Sequence, residues 1–326
     1  MAQPAGRILN YDPDLDDRLI DLLNIGWAGL RGFEPIYPKA DKWPVADPEL
    51  LAEWRESGRI SEQFTFVAEH EDGNLAGVLS ASPGAEDQGT FHFFCVNGHY
   101  GGHGYGSRLL MAMENALREC GMTRVVTEQV DSRCPHRNRF LQLKGYRVLD
   151  PERESIIMVL QPEGRVIRDV VLPDGDYYIE TWRDEYLDDW VDVKNAAFEQ
   201  PSERSLFLDH FRNRRDFDPN GWMLLRHRDR FIGITGAMVC KEIDGRTRGG
   251  MIEWVGVRPE YRGKSLGEAL VIAGLNYFVE RDITPVTLIT QPFRRPAVAL
   301  YEKLGFTTAA AIPRYHKELE VEVSEA

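Results

Sequence analysis

Val255-Gly256-Val257-Arg258-Pro259-Glu260-Tyr261-Arg262-Gly263-Lys264-Ser265-Leu266-Gly267-Glu268 is the stretch that decides how this chain is read. It opens with apolar, partly β-branched residues, as a strand prefers. A Gly-containing turn follows. Beyond it Leu266, Leu270, Ala273 and Tyr277 recur at spacings of four, three and four, one side of an amphipathic helix. A strand that runs through such a turn into a helix builds an anion site. The first amides of the helix have no internal acceptor, and the helix dipole adds partial positive charge. Glycine lets the backbone approach a phosphate with no Cβ in the way. Arg262 and Lys264 add charge. The loop is neither a Walker A loop nor a dinucleotide fingerprint.

The signature occurs twice. Gly101-Gly102-His103-Gly104-Tyr105-Gly106-Ser107 precedes a helical run closed by Gly145-Tyr146, and the second loop precedes one closed by Gly305-Phe306. Gly267 follows Gly106 by 161 residues and Gly305 follows Gly145 by 160, so one register spans both halves. A repeat of half the chain predicts tandem globular domains rather than a solenoid. The join is expected between Gln161 and Asp176, where Pro162, Gly164, Pro173 and Gly175 punctuate an apolar run from Val166 to Leu172. In the second half we predict strands at Tyr177–Trp182, Met251–Val257 and Pro285–Thr290, and a hairpin of Trp222–Leu225 with Phe231–Val239. Helices are predicted over Tyr186–Phe198 and Pro296–Leu304, and from the loop to Arg281. The first half repeats the order, with a hairpin across Asp72-Gly73, strands Phe91–Val96 and Arg124–Glu128, and a helix Arg137–Leu143. The fold class is α/β (α+β), each domain a mixed, largely antiparallel sheet flanked by helices.

At 326 residues the chain exceeds one comfortable core. Its 39 basic and 52 acidic residues give a net charge of −13, which opposes nonspecific binding to nucleic acid or anionic lipid. No stretch is apolar for long enough to span a membrane. Met1–Pro13 has no apolar signal core. Cys95, Cys120, Cys134 and Cys240 are scattered and read as reduced thiols, so a cytoplasmic protein is expected.

Val255–Gly267 resembles the acyl-CoA signature of the GNAT acyltransferase superfamily, with its Arg/Gln-x-x-Gly-x-Gly/Ala loop. Pro296-Ala297-Val298-Ala299-Leu300-Tyr301-Glu302-Lys303-Leu304-Gly305-Phe306 resembles that superfamily's closing helix. The resemblance covers both halves and implies two tandem GNAT-like domains: 1–165, degenerate and noncatalytic, and 166–326, catalytic. It implies acetyl-CoA as co-substrate and no metal. The amides of Val255 and Val257 would meet the pantetheine arm. Arg262, Gly263, Lys264, Ser265, Leu266, Gly267 and Glu268 would hold the pyrophosphate. Ser265 stands where the pattern has Gly. In the first copy Gly102, Gly104 and Gly106 keep a phosphate site open, although Gly101 replaces the Arg or Gln.

By the same resemblance Tyr301 is the acid that protonates the leaving thiolate; Leu141 holds the aligned first-half position and cannot donate a proton. A tandem member of the superfamily has Glu at the position of Met251, which cannot act as a base. Glu253, two residues on, faces the same way in a regular strand, though a bulge would alter that. It is either the base, directly or through water, or a surface or ion-paired carboxylate. The implied reaction is acetyl transfer to a primary amine of a small molecule by a monomer or homodimer. A protein N-acetyltransferase and a noncatalytic CoA-binding scaffold are the alternatives. His92, Cys95, His99 and His103 lack metal-ligand spacing. Arg294 and Arg295, bordering the expected cofactor side, read as a solvated pair rather than as substrate ligands. Trp222 and Trp254 suit an acceptor pocket or the core equally.

Overall fold

The structure, a computed structural model, describes residues 6–31, 46–130, 132–160, 166–173, 175–198, 201–214, 217–241 and 247–319. The first half gives β1 (Arg7–Asn10), α1 (Asp16–Arg31), α2 (Pro48–Glu56), β2 (Thr65–Glu69), β3 (Leu75–Pro83) and β4 (Gln88–Val96). It continues with α3 (Tyr105–Glu119), β5 (Arg124–Thr127), α4 (Pro135–Leu143), β6 (Arg147–Val148) and β7 (Ser155–Leu160). The second half gives β8 (Tyr177–Thr181), α5 (Leu187–Phe198), α6 (Arg204–Phe207), β9 (Trp222–His227), β10 (Arg230–Lys241) and β11 (Thr247–Val257). Then come α7 (Leu266–Glu280), β12 (Val286–Thr290), α8 (Arg295–Lys303), β13 (Phe306–Ile312) and β14 (Tyr315–Glu318).

Local chemistry sets these boundaries. Asp47 caps α2, accepting from the Leu50 amide at 2.8 Å, with Pro48 in the first turn where its missing N–H costs nothing. Gly73 takes φ +83° in the turn between β2 and β3. The predicted strands and hairpins are present in both halves. The helices α1 and α2 are additional to those the spacing identified.

The strands form two seven-stranded sheets, β1-β2-β3-β4-β5-β14-β6 and β13-β7-β12-β11-β10-β9-β8. Only β4–β5 and β11–β12 pair in parallel among the registered pairs, so each sheet is mixed and largely antiparallel. The closing strands are exchanged: β7, from the first half, lies between β12 and β13, while β14, from the end of the chain, lies between β5 and β6. Among the described residues the compact units accordingly divide at 154/155 and again at 309/310. The point at 165/166 remains our proposal for where the sequence repeats meet; 161–165 and 174, in the expected join, lie outside the described residues.

In the first unit one face of the sheet packs on α3 and α4 through Leu109, Met113, Leu117 and Leu141. The other packs on α1 and α2 through Leu19, Leu23, Leu51 and Trp54. The second unit repeats the layers, with Val271, Leu275, Phe278 and Tyr301 from α7 and α8 on one side. An aromatic layer of Trp182, Trp190, Phe207, Phe211 and Trp222 lies on the other. Helix α7 is buried over most of its circumference, not along one stripe. Its outer side is met by the segment 166–173, where Asn276 accepts from the Arg168 amide at 3.0 Å and donates to the Arg168 carbonyl at 2.8 Å. Leu172 packs beside Leu266 and Leu270, whereas Val166, Ile167 and Val171 stay exposed.

Candidate active site

Strand β11 pairs regularly with β10 as far as Glu253↔Gly236 and resumes at Gly256↔Ile234, so three steps of β11 oppose two of β10. The bulge centres on Trp254, held at φ +50°, an unfavourable conformation for a bulky residue. Trp254 is held in place by rings, with Phe198 at 5.3 Å and Trp190 at 6.0 Å. Parallel pairing with β12 stops at Ile252↔Leu288, so the two strands part where the bulge begins. Beyond it the Arg258 amide bonds the Ile232 carbonyl at 2.8 Å. Strand alternation therefore turns the amides of Val255 and Val257 away from β10, toward the side β12 has left.

The strand leads through a turn at Pro259–Tyr261 into the loop. Gly263 takes φ +80° and Ser265 φ +57°. In the first copy Gly102 and Gly104, at the matching positions, take +82° and +77°. The two loops therefore share one backbone path, and Ser265 adopts the left-handed conformation that glycine adopts freely, at about 1 kcal/mol. The Ala269 amide bonds the Ser265 carbonyl at 3.1 Å. Among the described residues no backbone acceptor takes the amides from Gly263 to Glu268. A Cβ at Gly267 would meet only Leu300, at 3.8 Å. Open amides at a helix N-terminus, beside an unpaired strand edge, fit a phosphate-bearing acyl carrier.

The side chains of the loop do other work. Arg262 donates to the carbonyls of Val257 and Ala197, at 3.2 and 2.8 Å, tying the loop to β11 and to α5, and its own amide bonds Pro259. Lys264 donates to the Tyr177 hydroxyl at 3.2 Å. Glu268 is ion-paired with Lys303 of α8 at 2.7 Å. The Leu266 side chain is buried, leaving its amide to the site.

Tyr301 on α8 is 7% exposed. Burial pushes its hydroxyl pKa up to about 12, with the Arg294 charge pulling the other way. Among the described residues no hydrogen-bond partner takes this hydroxyl. Glu253 precedes the bulge, so it shares the α5 face with Met251, which is buried in the aromatic layer. Glu253 and Tyr301 thus belong to opposite faces of the sheet, near the point where the pairing of β11 with β12 ends. Three neighbours had little signal in the sequence. Lys194 on α5 is 1% exposed, donates to Ser202 and lies 5.5 Å from the Trp254 ring, and burial lowers its pKa. Its spacing from Trp190 along α5 was the available clue. Phe198, at the end of α5, would clash with a Cβ on Gly256. Arg294 is half-buried rather than solvated, donating to Gln291 at 2.7 Å and lying over Phe198 at 5.5 Å.

The first copy differs inside the slot. Phe94 and Phe140 stand where Val255 and Leu300 stand in the second, with ring centroids 5.7 Å apart. A Cβ on Gly106 would meet them at 3.1 and 3.4 Å. Leu141 is buried at the Tyr301 position. Of the histidines of this half, His103 sits against the Tyr100 and Gly101 carbonyls, and His92 faces Ser82 and Glu128. Trp222 belongs to the aromatic core, and Asp218 just before it bonds the Tyr277 hydroxyl at 2.7 Å.

Residues 27–145 and 179–306 each match the Acetyltransferase (GNAT) family. The chain belongs to that family. It is 30% identical over 251 residues to the mycothiol acetyltransferase of Thermomonospora curvata, covering 75% of this chain and 80% of that protein. Against the mycothiol acetyltransferase of Amycolatopsis mediterranei it is 31% identical over 212 residues, covering 63% and 67%. In fold it is similar to a GCN5-related N-acetyltransferase from Sphaerobacter thermophilus, with a TM-score of 0.68, 18% identity and 96% of each chain covered. A tandem GNAT protein from the clavulanic acid biosynthesis pathway gives the same TM-score at 16% identity, covering 96% of this chain and 98% of that one. This GNAT chain is thus a tandem N-acetyltransferase. Among its described residues no helix is long and apolar enough to cross a membrane.

Proposed function

We propose that the second unit transfers an acetyl group from acetyl-CoA to a primary amine of a small molecule. The observation that carries this reading is the row of open amides from Gly263 to Glu268, facing the strand edge of Val255 and Val257. These groups bind and orient the acyl carrier, which when bound supplies an acetyl thioester and a thiolate leaving group. Tyr301, kept neutral by burial, donates its proton to the departing sulfur. Glu253, on the α5 face, takes the proton the amine must lose, directly or through water. The first unit, with Leu141 in place of the tyrosine and two rings in its slot, takes no part in acetyl transfer.

Thiol release from acetyl-CoA across a panel of small amines tests the reading. The mycothiol acetyltransferase relatives put a mycothiol-type acceptor first on that panel, although Met251 and its buried surroundings argue for a different one. Amine-dependent thiol release with equimolar acetylated product is expected. Acetylation confined to protein N-termini or lysines would refute the small-molecule assignment.

A further inference from the structure

Four polar side chains of the first unit form a cluster that acetyl transfer does not use. Arg59 lies between α2 and β2, Ser82 near the end of β3, His92 in β4 and Glu128 just after β5. The Ser82 hydroxyl lies 2.8 Å from His92 Nε2. His92 Nδ1 lies 3.5 Å from Glu128 Oε1. Arg59 grips the same carboxylate with both terminal nitrogens, at 2.9 and 3.2 Å. Burial disfavours the Glu128 charge, yet the His92 hydrogen bond and the Arg59 charge outweigh it and hold the carboxyl below its usual range.

The arrangement has a chemical direction. If Ser82 donates to Nε2, the imidazole carries its proton on Nδ1, pointed at a carboxylate that is itself fixed. A nucleophile in reach of a base, with the base oriented by a third group, is the signature of an activated hydroxyl, and such contacts are often loose before substrate binds. The 161-residue register also carries His92 onto Glu253, so the cluster stands at the first-copy counterpart of the candidate base. His92 is 16% exposed and Ser82 half-exposed beside the exposed loop 83–87, which leaves the hydroxyl reachable. Arg59 Nε is buried with no acceptor, a spare donor within the cluster.

We propose that Ser82, His92 and Glu128 form a second chemical centre that takes an acyl group from an activated ester onto Ser82 and releases it to water. Ser82 Oγ bonds the acyl carbon while its proton passes to His92 Nε2, and the ester's C–O bond breaks, the leaving oxygen accepting that proton. Water then adds to the acyl-serine with His92 as base, freeing the carboxylic acid and restoring the hydroxyl. No redox partner or metal is needed for the balance.

The test uses the full chain with p-nitrophenyl acetate and, separately, a fluorophosphonate ester, read by the mass of the peptide containing Ser82. Neither readout involves acetyl-CoA or an amine, so it stands or falls apart from the acetyltransferase reading. Expected are an adduct on Ser82, absent in Ser82→Ala, and labelling at least tenfold slower in His92→Asn and Glu128→Gln variants whose circular dichroism matches wild type. An unlabelled Ser82 in folded wild-type protein would overturn the proposal. So would labelling at an unchanged rate in His92→Asn, which would mark Ser82 as merely exposed. If neither variant folds, labelling of wild type that saturates with probe concentration supports the centre, and a linear dependence refutes it.

Discussion

Ser265 shows how far single residues can be read. The sequence marks it as a departure from a glycine pattern, and the structure gives the departure a cost, because the matching Gly104 sits in the same left-handed conformation. Ser265→Gly is predicted to stabilise the fold by up to about 0.5 kcal/mol, the strain relief largely offset by the freer unfolded chain. Urea melts read this as a raised midpoint at unchanged slope. Tyr301 was legible from its motif, but its burial was not. Its raised pKa means the proton is retained below pH 10, where a free tyrosine starts to lose it, and is lost only as pH rises through about 12. Turnover measured up to pH 11 is therefore predicted to show no alkaline limb from Tyr301. A fall near pH 10 that vanishes in Tyr301→Phe would contradict this. Arg294 was misread as solvated because sequence shows charge, not the rings and amides a side chain will find.

At the scale of elements, strands and helices with clear periodicity were legible: β9 to β12, α7 and α8 fall close to where the spacing put them. The bulge at Trp254 could not be placed, since nothing in Met251-Ile252-Glu253-Trp254-Val255 marks an extra residue until β10 is set beside it. Nor could the all-round burial of α7, which depends on a segment 108 residues away reaching Asn276. Close approaches between elements fix the geometry behind the site. Gly221, in the turn just before β9, has room for no side chain, as an added Cβ would lie 2.3 Å from the Ala237 carbonyl oxygen. Gly221→Ala is predicted to destabilise by about 1–3 kcal/mol, because backbone rather than a pliable side chain must give way. A lowered urea midpoint checks it; an unchanged one would mean that β9 and β10 separate more easily than their register suggests.

For the whole molecule, the repeat predicted tandem domains correctly, and the exchange of closing strands lay beyond it. Both repeats end in strand-like sequence, and alternation of side chains cannot say which sheet a strand will join. The consequence is testable. A fragment of residues 166–326 lacks β7, an inner strand of its sheet, and a fragment of 1–165 lacks β14. Each would carry unpaired inner edges, the condition that drives association. Expressed apart, both are predicted to aggregate or fail to fold, and co-expression to recover soluble protein. A monodisperse, cooperatively folding 166–326 fragment would contradict the exchanged pairing.

The account rests most heavily on chemistry at Tyr301, and single-turnover acetyl transfer by Tyr301→Phe, with acetyl-CoA affinity measured in parallel by calorimetry, tests it most directly. The substitution removes the donated proton and leaves the open amides of Gly263–Glu268 untouched. The predicted result is a chemical step slowed by about 10²–10⁴-fold, the range for a lost general acid, at nearly unchanged acetyl-CoA affinity. A chemical step within twofold of wild type would contradict the account and reduce Tyr301 to a packed ring beside Phe306.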